Sequence, residues 1–443
     1  MVKSLTGKSK IPSGTPRSNK SLGLWVPLAL VLMATVAGFQ FEPARTPLPP
    51  DMQIAVRTPD AVAAKRFSSP RPSADAASKS KLIRVNVTPG GDDSFQLSVT
   101  GAYSIGADDS KRELSHGDGL ASSKVESTKN GLKIGDHTFA ATRLEVVPKT
   151  EPAIRVNGHL YRGIVRLFRR TDGRVSAVNV LPLEEYLASV VDSEMPASFP
   201  EAARQAQAIV ARTYALYQKE HANPASVYDL LSSQRSQKYL GVEYIDTSGR
   251  RLAGESASSR RAVAETRGIV CRHRGHLFCT YYSAACGGRT TNGSELFEDA
   301  APILKSVPCE WCRDSKYYRW SAEVQNKNFL AALEEMKQSL NLASIQQTAG
   351  PGGGMISRFR IGDGRQNLSI SGVELRDRLP TGTLHSPHFS LTLKKDVVRF
   401  EGRGHGHGVG FCQWGANGQA RAGKSCFEIV RHYYPGVELF VVE

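Results

Sequence analysis

One acidic residue in this sequence has the surroundings of a general acid. Glu194 lies in the segment VNVLPLEEYLASVVDSEMPASFP, two residues before Pro196 and just ahead of a long helical pattern. A carboxyl group at such a break, near apolar Met195 and Phe199, is expected to have a raised pKa and to donate a proton in catalysis. The alternative is that Glu194 only decorates the end of a helix, and the spacing alone leaves both interpretations open.

A second segment, AQAIVARTYAL, surrounds the positive charge of Arg212 with apolar residues. A guanidinium in such a setting pairs with a carboxylate or binds an anionic ligand. The plainer alternative is an arginine whose aliphatic stem packs on the helix while its charged end reaches water.

The cysteines are candidates for a metal site. The chain has 7 of them, an odd number that cannot pair completely within one chain, and all lie in its second half: Cys271, Cys279, Cys286, Cys309, Cys312, Cys412 and Cys426. Cys286 and the CEWC pair, Cys309 and Cys312, can supply three thiolates to a tetrahedral zinc ion. The candidates for a fourth ligand are Cys271, His273, His276 and Cys279. Disulfides and free thiols remain alternatives in an oxidising compartment.

A glycine-rich loop, GRGHGHGVGFCQWGANGQA, carries two histidines and two residues suited to sugars. His405 and His407 can bind a metal, donate hydrogen bonds to a sugar, or simply satisfy the backbone of the loop. Gln413 and Trp414 suit carbohydrate contact through hydrogen bonding and stacking. Because no strand–turn–helix unit frames the glycines, the loop is not a nucleotide-binding fingerprint.

The hydrophobic pattern predicts strands and helices without regular alternation. Strand-like alternation begins at Leu82 and continues through residues 130–180, where TDG at 171–173 signals a hairpin. The clearest helix is expected to begin after Ser198 as the N-cap and to run to Glu220.

A second helix is predicted from Asn328 to Leu340, and the stretch between the two helices, Ala262 to Tyr282, is predicted to be β-rich. This irregular order indicates an α+β fold, a mixed β-rich body with a few helices, rather than a doubly wound parallel sheet.

The N-terminal residues indicate export. Residues 1–20 form a basic leader, residues 21–41 form an uncharged apolar run that suits a transmembrane anchor or a signal peptide, and residues 42–80 form a disordered linker rich in proline, alanine and serine. Residues 1–80 carry +7 of the formal net charge of +15, which leaves +8 for the rest. An extracytoplasmic body with this charge suits an anionic cell envelope and makes nucleic acid an unsuitable partner.

The order of several motifs resembles the SpoIID/LytB family. These motifs are LPLEEYLASVVDSEMP, AQAIVARTYAL, YDLLSSQRSQKYLG, AVAETRGIV, YYSAACGGRTTN, ISGVELRD and GHGHGVGFCQWGA. The resemblance covers residues 161–434 and implies a SpoIID-like catalytic body over residues 161–443. Residues 81–160 resemble the β-rich lead-in of that family.

The resemblance implies a peptidoglycan lytic transglycosylase, which cleaves MurNAc–GlcNAc bonds and forms 1,6-anhydro-MurNAc. The catalytic glutamate of the family lies in an E-M-P motif, which places it at Glu194 here, with Asp192 as a weaker second acid. One carboxyl group suffices because the nucleophile comes from the substrate, whereas most glycosidases need two. The resemblance also implies a set of residues that line the glycan cleft: Arg212, Tyr214, Gln237, Ser386, His407 and Gln413.

The resemblance has departures and an alternative. Ala284 and Ala285 stand where many members carry hydroxyl residues, and Cys412 stands where a serine is common. Zinc in some members strengthens the hypothesis of a structural zinc ion. The alternative function is a non-catalytic wall-binding module that activates a partner N-acetylmuramoyl-L-alanine amidase. Either function places the protein in the cell envelope, anchored in the cytoplasmic membrane through residues 21–41 or secreted, with peptidoglycan glycan strands as its partner.

Overall fold

A computed structural model of the chain describes residues 82–107, 112–334, 344–350, 355–362 and 367–442. The predicted leader, apolar segment and linker lie outside these described residues. Among the helices of the described residues, none is long and apolar enough to cross a membrane.

The described residues form a strand-rich α+β structure, which confirms the predicted fold class for this part of the chain. The strands in its first half are β1 (Leu82–Asn86), β2 (Ser94–Val99), β3 (Tyr103–Ala107), β4 (Glu113–Gly117), β5 (Leu120–Thr128), β6 (Gly131–Ile134), β7 (His137–Phe139), β8 (Arg143–Pro148), β9 (Ile154–Val156), β10 (His159–Tyr161), β11 (Ile164–Arg169) and β12 (Val175–Pro182).

The remaining strands are β13 (Leu230–Leu231), β14 (Glu243–Ile245), β15 (Arg251–Ala253), β16 (Ile269–His273), β17 (His276–Leu277), β18 (Tyr282–Ser283), β19 (Trp320–Gln325), β20 (Ser344–Ala349), β21 (Arg358–Gly362), β22 (Asn367–Ser371), β23 (Phe389–Leu393), β24 (Val397–Gly402), β25 (Phe411–Cys412) and β26 (Glu438–Val441). The α-helices are α1 (Leu183–Glu194), α2 (Glu201–His221), α3 (Ala257–Glu265), α4 (Asn326–Glu334), α5 (Gly372–Arg378), α6 (Gln413–Arg421) and α7 (Cys426–Tyr433).

Two large sheets enclose the first hydrophobic core. One sheet has the order β13-β1-β12-β11-β8-β3-β4 and the other the order β15-β14-β10-β9-β2-β5-β6-β7. Alternate residues of the strands point into this core, as in β2 and β8, while their neighbours remain more exposed. The predicted hairpin at 171–173 is present, because β11 and β12 pair in antiparallel register. Each sheet joins strands from before and after residue 160.

Helix α2 separates two cores. Its small residues Ala208, Ala211 and Ala215 pack into the first core, and Ala206 and Ile209 pack into a second core formed with α6, α7 and β16. An amphipathic helix of this kind usually buries only one face. Alanine on both sides lets the two cores approach the helix closely, so most of the helix is buried.

The boundaries of three predicted elements differ from the structure. Helix α2 begins at Glu201 after Pro200, so Ser198 is not the N-cap. The stretch predicted as β-rich begins inside α3, because Ser256 and Ser259 form a reciprocal capping box that starts a helix there. The predicted second helix is described as Asn326–Glu334, and its remainder lies outside the described residues.

A third core belongs to the smaller C-terminal lobe. The sheets β19-β24-β23 and β20-β21-β22 and helices α4 and α5 bury an aromatic cluster that contains Phe329, Phe359, Phe389 and Phe400. The loop after β24 returns the chain to the second core, where β25 pairs in parallel with β18. This return brings the glycine-rich loop to the end of α1.

Candidate active site and cysteine centre

Glu194 is the last residue of helix α1. The helix ends because Met195 adopts an extended backbone, with φ −129° and ψ 137°, and the next residue is a proline, which disfavours a helical residue before it. Met195 and Phe199 are buried in the second core. The apolar surroundings that the sequence predicted for Glu194 are therefore present, and its side chain stays partly exposed.

Two hydrogen bonds and a nearby tyrosine hydroxyl surround the Glu194 carboxyl group. The backbone N–H of Lys238 donates to Oε1 at 2.8 Å, and Nε2 of Gln413 donates to Oε2 at 3.4 Å. The hydroxyl of Tyr282 lies near the carboxyl group without a hydrogen bond to it. These three neighbours come from a loop, from α6 and from β18, so the site exists only in the folded chain.

Burial raises the pKa of Glu194 above its ordinary value of 4.5, and the hydrogen bonds from Lys238 and Gln413 only partly offset it. The carboxyl group therefore keeps its proton to a higher pH than a surface glutamate does. A partly exposed carboxyl group that stays protonated can donate a proton to a bound substrate.

Asp192 points to a different partner. Its carboxylate forms an ion pair with Arg204 and accepts hydrogen bonds from the hydroxyls of Ser256, at 3.0 Å, and Ser259, at 2.9 Å. Asp192 is thus held in a polar network between α1, α2 and α3, away from a role as a second acid.

Three of the predicted cleft residues lie around Glu194. Gln413 contacts its carboxyl group directly. Gln237 is fully buried behind it, accepting from the Tyr186 hydroxyl at 3.0 Å and donating to the carbonyl of residue 211 at 3.3 Å. The ring of Tyr214 packs edge-on against that of Tyr282, with centroids 6.3 Å apart.

The structure places the other three predicted cleft residues in other surroundings. Arg212 is fully buried and binds Glu184 through two hydrogen bonds, of 2.9 and 2.7 Å. The buried Ser386 donates to the carbonyl of Arg403 at 2.6 Å. His407 packs edge-on against Phe297, with centroids 5.2 Å apart, and burial lowers its pKa to about 4. Contact of these residues with a glycan stays a prediction.

Trp414 of α6 and His405 of the glycine-rich loop also pack against aromatic rings. Trp414 lies edge-on to Phe199, with ring centroids 5.2 Å apart. His405 lies against Tyr317, with centroids 4.2 Å apart, and so has different neighbours from His407.

The cysteines come together in a way that the sequence predicted only in part. The sulfur atoms of Cys286, Cys309, Cys312 and Cys412 all lie within 4.8 Å of one another, and all four side chains are buried. The fourth member is Cys412, whereas the sequence had suggested Cys271, Cys279, His273 or His276. The structure pairs none of the seven cysteines in a disulfide.

Groups around this four-cysteine cluster are arranged to stabilise thiolates. The backbone N–H groups of Cys286 and Gly415 each donate to Sγ of Cys412 at 3.3 Å, and the hydroxyl of Tyr433 lies 3.2 Å from Sγ of Cys309. Gly415 has to be glycine here, since a Cβ atom would lie 2.6 Å from Sγ of Cys309. The four sulfur atoms are suited to hold a metal ion.

Sequence reasoning missed two parts of the site. Tyr282 lies in the quoted motif YYSAACGGRTTN, but only the parallel pairing of β18 with β25 brings it near Glu194. Cys412 was noted only as a departure from the family. Its position directly before Gln413 could have indicated a metal ligand, because a ligand there would fix the position of the neighbouring cleft residue.

Comparison with known proteins finds one matching family model and several relatives. A protein-family model described as SpoIID, stage II sporulation protein, matches residues 171–273, which include α1, Glu194 and α2. The stage II sporulation protein D of Bacillus subtilis is 28% identical over 326 residues, which are 72% of this chain and 87% of that protein.

Two other relatives extend the comparison. An uncharacterised protein of Brachyspira hyodysenteriae is 29% identical over 317 residues, 71% of this chain and 81% of its own. The amidase enhancer of Bacillus subtilis is 24% identical over 396 residues, 78% of this chain and 51% of its own. These matches confirm the expected resemblance to the SpoIID family, a family of cell-wall remodelling proteins.

The raised pKa of Glu194 predicts a pH-dependent effect on stability. At low pH such a carboxyl group is neutral in both the folded and the unfolded protein, so its raised pKa does not affect stability. When the pH rises above the pKa that the group has in the unfolded protein, the raised pKa in the folded protein lowers the free energy of unfolding. We expect Glu194→Gln to raise Tm by about 2 °C near pH 8, and to leave it unchanged near pH 4. Thermal unfolding of both proteins at the two pH values checks this, and an unchanged or lower Tm at the higher pH contradicts it.

Proposed function

We propose that this protein is a peptidoglycan lytic transglycosylase in which Glu194 is the single general acid and base. The observation that carries the proposal is the environment of its carboxyl group. It is partly exposed, burial raises its pKa, and its neighbours among the described residues, Lys238, Gln413 and Tyr282, are not acidic. Asp192, the nearest acid in sequence, is engaged by Arg204.

One carboxyl group can perform both proton transfers of this reaction. Protonated Glu194 donates its proton to the glycosidic oxygen as the bond from MurNAc C1 to that oxygen breaks. The resulting carboxylate then accepts the proton of the MurNAc 6-hydroxyl, whose oxygen forms the new bond to C1. The products are a GlcNAc end and a 1,6-anhydro-MurNAc end, water is not consumed, and Glu194 is again protonated.

The neighbours of Glu194 support both halves of this cycle. Burial favours the protonated carboxyl group before the bond breaks. After proton transfer, the N–H groups of Lys238 and Gln413 are already placed to stabilise the carboxylate, at 2.8 and 3.4 Å. Gln413 keeps its position partly through Gln207, whose Oε1 accepts from the same Nε2 at 3.4 Å.

Glycan strands of the cell wall are the proposed partner. The SpoIID family acts on the wall outside the cytoplasm, and the net charge of +8 after residue 80 suits an anionic polymer. We place the body outside the cytoplasmic membrane, anchored through residues 21–41 or released after their cleavage.

A second candidate function is activation of a partner wall amidase. The similarity to a protein named amidase enhancer favours it. In that case the region around Glu194 would bind wall or partner without breaking a glycosidic bond.

The two functions predict different products from glycan strands. Purified full chain, incubated with wall glycan, is expected to form anhydro-MurNAc ends, detected by mass spectrometry. We expect Glu194→Gln to lower the rate at least about 100-fold, the range in which single acid–base groups contribute.

Glu220→Gln is the matched control, since it also replaces a glutamate with glutamine, at an exposed position of α2. We expect it to leave the rate of anhydro formation unchanged. Intact wall binding without anhydro ends from the wild-type chain would overturn the transglycosylase in favour of the amidase activator.

We also propose that the four-cysteine cluster holds a structural zinc ion. A tetrahedral zinc with bonds to sulfur of about 2.3 Å places the sulfur atoms about 3.8 Å apart. The Sγ atoms of Cys286 and Cys312 lie 3.7 Å apart. Four buried sulfur donors with backbone N–H groups directed at Cys412 match the donor set that structural zinc requires.

Such an ion would act as a cross-link, with no open position for substrate. Cys286 follows β18, Cys309 and Cys312 belong to the CEWC segment, and Cys412 ends β25. Gln413 is the next residue after Cys412 and contacts Glu194. Fixing the cysteines therefore fixes a residue that touches the catalytic carboxyl group.

This proposal predicts about one zinc ion per chain. Cys309→Ser should lower the zinc content and Tm together, because it removes one of four ligands. Cys426→Ser, which alters a buried cysteine outside the cluster, should keep the zinc. Elemental analysis and thermal unfolding measure both quantities, and an equal zinc content in the two variants would refute the assigned ligands.

A further inference from the structure

A cavity of about 850 Å³ opens beside the four-cysteine cluster. It lies between the segment after Cys286 and the paired strands β19 and β24. Its lining includes Arg289, Tyr318, Arg319, Trp320, Gly402 and Arg403. Its volume is in the range of small-ligand sites and accommodates a sugar residue.

The cavity concentrates positive charge. Four arginines line it, and the single acid in its lining, Glu401, already binds Arg399 at 3.1 Å. Arg319 donates to the carbonyls of Gly287 and Tyr318, both at 2.8 Å, and Arg289 donates to the hydroxyl of Ser306 at 3.4 Å.

These acceptors are neutral, and no carboxylate in the described part of the chain forms an ion pair with Arg289 or Arg319. Guanidinium groups grouped without carboxylate partners favour an anionic ligand, above all a carboxylate or phosphate, which they can bind through two hydrogen bonds.

Aromatic rings form the walls beside these charges. The Arg319 guanidinium lies 4.4 Å from the centre of the Tyr318 ring, which holds it in place by a cation–π contact. The indole N–H of Trp320 donates to the carbonyl of Gly404 at 3.0 Å. A Cβ atom on Gly402 would lie 2.1 Å from the Trp320 ring, so the glycine allows the indole to lie flat against β24. Partly exposed, oriented rings of this kind are suited to stack on a sugar.

The cavity is separate from the carboxyl group of Glu194. Its lining includes none of the three residues that contact that carboxyl group. The two sites are nevertheless joined through the chain, because Gly287 lines the cavity and follows Cys286. Arg403 also lines it and donates to the carbonyl of Cys286 at 2.8 Å.

We propose that this cavity is a non-catalytic binding site for an anionic saccharide, in which Arg289 and Arg319 bind the negative group and Trp320 stacks on the ring. The proposal rests on the proposed function in taking the saccharide from the wall polymer. The site would hold a charged sugar of the strand while another part of the strand lies at Glu194.

The test measures binding of single sugars to the full chain by titration calorimetry. N-acetylmuramic acid carries a carboxylate, N-acetylglucosamine 6-phosphate carries a phosphate, and N-acetylglucosamine is the neutral control. We expect at least one of the two anionic sugars to bind more tightly than the neutral one. Arg319→Gln should weaken that binding about tenfold, the effect of losing a charged hydrogen bond. Arg313→Gln, an exposed arginine six positions earlier, should not change it.

Whichever anionic sugar binds more tightly identifies the group as carboxylate or phosphate. Trp320→Ala, checked for folding by Tm, should weaken binding of all three sugars.

Equal affinity for the neutral sugar and the anionic sugars, or an affinity that Arg319→Gln does not change, would overturn the proposal. Glu194→Gln should retain the binding, and its loss in that variant would place the sugar at the catalytic carboxyl group instead. If the chain binds the anionic sugar through Arg319 but forms no anhydro ends, the proposed function is refuted and the proposed binding site stands.

Discussion

Two buried arginines on helix α2 hold helix α1 in place, and the position of Glu194 depends on them. Arg212 binds Glu184 near the start of α1, and Arg204 binds Asp192 near its end. Both guanidinium groups are almost inaccessible to solvent. Removing one partner of a buried ion pair costs about 3–5 kcal/mol, because the other charge is left without compensation. Each end of α1 is therefore fixed to α2 by an interaction that resists displacement.

The same arginines also bind the backbone on either side of the site. Arg204 donates to the carbonyls of Met195 and Pro196, at 3.3 and 3.1 Å, just after Glu194. Arg212 donates to the carbonyl of Ile269 at 3.1 Å, at the start of β16. The break after α1, which leaves Glu194 at a helix end with apolar neighbours, is thus held by hydrogen bonds and not only by the proline.

Several features could be predicted from local sequence, because they depend on neighbouring residues. The break at Glu194, the Ala-rich helix and the hairpin at 171–173 were read from propensity and spacing, and the α+β class followed from their order. Pairing of Arg212 with a carboxylate was one of two open alternatives. Its partner, Glu184, could not be identified because it depends on how α1 packs against α2.

Other features depend on contacts across more than a hundred residues. Cys412 joins Cys286 only because β25 returns to pair with β18, and the same pairing brings Tyr282 and Gln413 to Glu194. The start of α2 differs for a local reason. Ser198 is predicted as the helix cap from its residue type, but Pro200, whose φ is fixed, directly precedes the first turn. Helix α2 contacts two cores because the C-terminal segment returns and covers a second face of the helix, which would otherwise be exposed to solvent.

If the nucleophile comes from the substrate, one carboxyl group suffices and no oxygen from water enters the new sugar end. Cleavage of glycan strands by the full chain in water labelled with heavy oxygen, followed by mass spectrometry of the new sugar ends, tests this most directly. We expect anhydro-MurNAc ends without the label. Reducing MurNAc ends that carry the heavy oxygen would contradict this expectation, since they would show that water attacks C1.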